Sequence, residues 1–121
     1  MLPRAVAVGA GLIFLAFGLW AMVAPHSFFD AVARFEPYNQ HFVQDVGAFQ
    51  IGLGAVLILS VIDATRGALP VALMGVGIGS AAHLVSHLVG LDLGGTPETD
   101  IPFFAAVTLL LLVTGVMARR Q

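Results

Sequence analysis

The sequence contains no cysteine, which removes disulfides, thiolate metal ligation and thiol redox chemistry from consideration. Charge is scarce as well: charged residues make up 10% of the chain, against roughly 25% in soluble globular proteins. The formal net charge of -2 carries no basic excess, so no nucleic-acid partner is expected. A nucleophile–base triad, a phosphate loop and a dinucleotide fingerprint are all missing. Gly75-Val76-Gly77-Ile78-Gly79 sits inside an apolar stretch, where such spacing serves helix packing. There is no internal repeat and no low-complexity tract.

What the sequence does have is apolar mass. Hydrophobic residues make up 59% of the 121-residue chain. A soluble domain of that size exposes too much of its surface to bury so much. Lipid resolves the conflict, and four stretches come near the ~20 residues a helix needs to cross a bilayer. They run from about Ala5 to Ala24, Phe42 to Ile62, Leu69 to Leu91 and Ile101 to Met117. The expected fold is therefore all-α: a single transmembrane domain over residues 1–121, built as a four-helix bundle. Arg4 ahead of the first stretch, with Ala21 and Ala24 near its end, resembles a secretory signal. Its uninterrupted apolar length fits a retained span better.

Connections are short except the first. In that segment Phe28, Val32 and Phe35 follow helical spacing, with Asp30, Arg34 and Glu36 on the polar side. With Ser27 as N-cap and Pro37 as terminator, a short helix in the membrane interface is expected. Gly94-Gly95-Thr96-Pro97 reads as a turn, and Trp20 as an interfacial anchor. Arg4, Arg66, Arg119 and Arg120 fall on one side of the membrane and Arg34 alone on the other. The positive-inside rule then puts both termini in the cytoplasm of a multi-pass inner-membrane protein.

Ionisable groups inside spans are costly and usually face the protein interior. On the second span His41 and Asp45 share a face that continues through Ala48 and Gly52. On the third, Gly75, Gly79, His83 and His87 step by four along one face. These small-residue stripes are the expected helix contacts, so the ionisable groups should point inward. Asp45 lies about 6 Å below His41, and His87 and His83 about 6 and 12 Å below the same surface. A convergence of His41, Asp45, His83 and His87 in the outer third of the bundle follows.

Three imidazoles and a carboxylate suit a divalent transition metal such as zinc, iron or copper. Histidines four apart on a helix are a common metal grip. Tyr38, Asn39 and Gln44 are placed to hydrogen-bond the ligands from behind, the alternative for Tyr38 and Asn39 being turn and interface chemistry alone. The plainer alternative pairs Asp45 with one histidine and leaves the others bonded to backbone or serine hydroxyls. Gln50 lies deep on another face and suits a bond to a neighbouring helix, while His26 reads as a solvated surface histidine.

The run Pro37-Tyr38-Asn39-Gln40-His41-Phe42-Val43-Gln44-Asp45-Val46-Gly47, with His83-Leu84-Val85-Ser86-His87 later, resembles small four-helix bacterial membrane proteins, loosely DoxX-like in size and mostly without an assigned function. In that pattern an arginine often precedes the aspartate and a further histidine often follows the pair; Gln44 and Gly90 stand there in this chain. The resemblance implies a bacterial membrane setting and groups these residues, but implies no activity.

Three function classes remain open. One is a metal-binding protein or a metalloenzyme for a lipid-soluble substrate, with a coordination position open to water. A second is electron transfer through haem or a quinone, histidines ligating haem iron axially. A third is a non-catalytic subunit, homo-oligomer or assembly partner of a membrane complex, or a lipid binder. Proton exchange between His and Asp overlaps all three.

Overall fold

The computed structural model describes residues 1–63, 65 and 67–120. Arg66, one of the cations behind the expected orientation, lies outside the described residues. The described chain is all helical: α1 (Leu2–Val23), α2 (Pro25–Ala31), α3 (Gln40–Ile62), α4 (Ala68–Val89) and α5 (Pro97–Arg119). The four long helices have 22, 23, 22 and 23 residues and are apolar enough to cross a membrane. At 1.5 Å per residue each spans about 33 Å, enough for roughly 30 Å of hydrocarbon. The protein is a multi-pass membrane bundle.

The bundle is two tight antiparallel pairs. In the first, α1 meets α3 backbone to backbone through two glycine contacts. A Cβ built at Gly18 would lie 2.7 Å from the Gly47 carbonyl oxygen, and one at Gly54 2.8 Å from the Gly11 carbonyl oxygen. In lipid, where apolar burial gives little drive, such close approach provides the dispersion contacts that hold helices together. In the second pair Gly77 of α4 admits Leu112 of α5, and Gly115 of α5 admits Met74 of α4.

The two pairs join around Ala7, Leu57, Ala72, Leu73, Val76 and Leu111, so all four long helices contribute to one buried cluster. Their seam is uneven. Between α3 and α4 an open apolar groove of about 480 Å³ remains, lined by Val56, Ser60, Val71, Ala72 and Gly75 among others.

At the opposite end α2 tucks Phe28 and Phe29 against Ala21 and Val43. This helix differs from the expected one. Pro25, whose fixed φ suits the first helical position, starts it two residues before Ser27. The Ser27 hydroxyl instead accepts the Trp20 indole N–H at 3.2 Å. Val32 and Phe35 follow the helix rather than forming its apolar face. His26 is exposed as expected and pairs with Asp30 at 3.0 Å.

Candidate functional site

Helix α4 buries Leu73, Gly77 and Ser80. Continued by helical steps, that face reaches His87, whose side chain is only 11% exposed. His83 lies one turn earlier on the edge of the same face and is exposed on the isolated chain. The two imidazoles turn toward each other, with Nε2 of His83 and Nε2 of His87 3.2 Å apart. Phe104 of α5 lies beside both rings, with centroid separations of 4.1 Å to His83 and 4.9 Å to His87. Phe35 meets His87 edge-on at 5.8 Å.

Behind His87 stands a carboxylate. Asp100 Oδ2 is 3.7 Å from His87 Nδ1, a charge contact longer than a hydrogen bond. Asp100 is fixed by the start of α5, where Pro97 occupies the first turn. Its Oδ2 accepts the Thr96 backbone N–H at 2.9 Å and its Oδ1 accepts the Thr96 hydroxyl at 3.1 Å. The Asp100 carboxylate thus faces Nδ1 of His87, while Nε2 of His87 faces Nε2 of His83.

The loop leading to Asp100 turns sharply through Gly94 and Gly95, at φ 118° and 82°, a region that favours glycine. Gly95 N–H donates to the Arg34 carbonyl at 3.2 Å. The segment carrying Phe35 is thereby docked over the end of α4, and Asp100, His87 and Phe35 are held by one loop contact.

The expected four-residue convergence is not assembled within one chain. His41 and Asp45 lie 3.6 Å apart on the surface of α3, with side chains 88% and 54% exposed. Among the described residues no three His, Asp or Glu side chains are grouped to hold one ion. The reason is helix rotation. The sequence reading took Ala48/Gly52 and Gly75/Gly79 as the packing faces. The chain packs through Gly47/Gly54 and Gly77 instead, while a Cβ at Gly52, Gly75 or Gly79 would meet nothing within 4 Å. Asp45 and Gly52 each lie two residues from a packing glycine, a turn of about 200°, which carries His41 and Asp45 outward.

The residues expected to support the ligands have other partners. Asn39 caps α3, its side chain accepting the Phe42 N–H at 3.1 Å. Tyr38 packs against His26 and Phe29, with ring separations of 4.9 and 5.0 Å. Gln44 donates to the Met22 carbonyl at 3.2 Å, tying α3 to the end of α1.

Sequence reasoning missed Asp100, Phe104 and Phe35. The signal for the first was Pro97 followed by acidic residues, a start-of-helix pattern. Beginning the fourth span at Ile101 left Asp100 in a loop; beginning it at Pro97 puts Asp100 in the first turn and Phe104 one turn deeper on the same face. Comparison of the chain with protein-family models, curated proteins and solved structures finds no match.

Proposed function

We propose that this multi-pass membrane protein binds a divalent transition metal through Nε2 of His83 and Nε2 of His87. The observation that carries the reading is their 3.2 Å separation. Two nitrogens each about 2.0–2.1 Å from one tetrahedral zinc lie roughly 3.3 Å apart. Little rearrangement separates the pair from a chelating geometry. Asp100 supports the reading from behind, because a carboxylate facing the far nitrogen helps to orient a ligand imidazole. Zinc, copper and iron suit such donors. Two rings on one helix turned toward a common point favour a single small ion over a haem macrocycle.

The remaining coordination positions are open to water or to a lipid-soluble substrate, whose oxygen the ion would polarise. Arg4, Arg119 and Arg120 lie at the far end of the bundle from α2, in support of cytoplasmic termini. The site then faces the non-cytoplasmic side of a bacterial inner membrane.

A second reading is favoured by the same distance. Nε2 to Nε2 at 3.2 Å also accommodates one proton, giving a His87–His83 proton relay without an ion, with Asp100 3.7 Å behind it. Metal analysis of tag-free protein, purified in detergent and titrated with zinc, separates the two. About one ion per chain, absent from His83→Ala, supports the metal site; no bound ion leaves the relay.

Asp100→Asn gives a graded check. An amide keeps the shape of the carboxylate but not its charge, so zinc affinity is expected to fall about 10- to 100-fold. Competition against a chromophoric chelator measures it.

A further inference from the structure

We propose that a second copy of this chain docks on the exposed α3–α4 face, and that Asp45 of each copy reaches His83 of the other. The starting point is a carboxylate in the wrong solvent. Asp45 is 54% exposed and His41 88% exposed on the isolated chain. A 23-residue helix overruns the hydrocarbon by only a few Å at each end, which puts Asp45 about 5 Å below its edge. A carboxylate at that depth is normally turned toward protein.

The α3 groups have their complement on α4. Among the described residues nothing hydrogen-bonds Nδ1 of His83, whose Nε2 faces His87. An unpartnered imidazole nitrogen and an exposed carboxylate thus stand on neighbouring helices. Val56 of α3 and Gly75 of α4 line one groove. Helical steps back from Val56 reach Gly52 and Asp45, and steps on from Gly75 reach Gly79 and His83.

Depth matches as well. Asp45 lies about 7.5 Å below the start of α3, and His83 about 9 Å below the end of α4. Gly52, about 18 Å down, falls between Gly79 at about 15 Å and Gly75 at about 21 Å. A two-fold axis along the membrane normal preserves depth, so α3 of one copy against α4 of the other makes the Asp45–His83 contact twice. The three glycines, open in the single chain, admit the partner backbone. Asp45 then stands behind His83 as Asp100 stands behind His87. The pairing needs no ion, so it holds or fails separately from the metal reading.

The test is association of full-length copies, labelled at the N-terminus with donor or acceptor dye, in liposomes containing EDTA and diluted with lipid. Energy transfer is expected to fit a monomer–dimer equilibrium in the wild type. Gly79→Leu and Asp45→Ala are each expected to lower the association constant at least about tenfold, in line with the loss of a close helix contact. Asp45→Ala combined with His83→Ala is expected to lose no more than the larger single effect. Gly79→Leu is expected to keep the monomer fold, because a Cβ there meets nothing within 4 Å of its own chain, and circular dichroism checks that. A monomeric wild type, an unchanged constant in either single variant, or additive losses in the double variant overturns the proposal. Zinc titration of monomeric Gly79→Leu, which keeps His83 and His87, reports on the metal site alone.

Discussion

His87→Ala is expected to weaken zinc binding by more than about 100-fold, beyond the 10- to 100-fold loss typical of removing a group behind a ligand. The chain offers only two imidazole nitrogens at this point, and they act as a chelate on successive turns of α4. Removing one leaves a single donor and exposes the Asp100 carboxylate to the cavity vacated by the ring. His83→Ala is expected to show a similar loss, since it removes the other half of the same grip. His26→Ala provides the control: His26 pairs with Asp30 on α2 and packs against Tyr38. Equilibrium competition with a chelator of known affinity gives the ratios. Equal affinities for wild type, His83→Ala and His87→Ala would put the ion elsewhere.

Gly18→Leu is expected to open the α1–α3 pair. Its Cβ would meet the Gly47 carbonyl oxygen at 2.7 Å and the Ile51 backbone nitrogen at 2.8 Å. Neither is the movable end of a side chain, so the helices themselves must separate. Overpacking of a well-filled interior costs about 1–3 kcal/mol, and more where backbone must shift. Gly47→Leu strikes the same contact from the other helix, against the Gly18 carbonyl oxygen at 2.8 Å. The two substitutions remove one shared contact, so the double variant is expected to lose less than the sum. Gly9→Leu is the matched control on α1, because a Cβ there meets nothing within 4 Å. Reversible unfolding in mixed micelles, followed by circular dichroism, is expected to rank Gly18→Leu and Gly47→Leu well below Gly9→Leu and the wild type.

The spans were legible because bilayer thickness fixes their length and lipid fixes their composition. Even the turn at Gly94–Gly95 falls where the residues suggest. What could not be read directly was rotation. A lipid-exposed helix is apolar on its outer surface as well as its packed one, so the amphipathic signal that orients a soluble helix is weak. Helix α3 holds Gly47, Gly52 and Gly54, and α4 holds Gly75, Gly77 and Gly79. Each offers competing small-residue faces. The choice between them depends on the partner: Gly11 and Gly18 on α1 have the same seven-residue spacing as Gly47 and Gly54, and only that match brings two backbones together twice. Choosing the four-residue stripe instead turned His41 and Asp45 inward in the sequence reading and left Asp100 without a role.

The histidine pair on α4 did emerge from the sequence, because its i, i+4 spacing alone puts two rings on one face. Their carboxylate neighbour did not, since Asp100 comes from another helix and its position depends on where α5 begins. The same limit applies to Phe35, which reaches His87 only through the Gly95–Arg34 backbone contact.

X-ray absorption at the zinc edge of the loaded protein asks the central question at the atoms concerned. Two imidazole nitrogens at about 2.0–2.1 Å are expected, falling to one or none in His83→Ala. A shell of oxygen alone, or an imidazole signal untouched by that substitution, contradicts a metal held between His83 and His87.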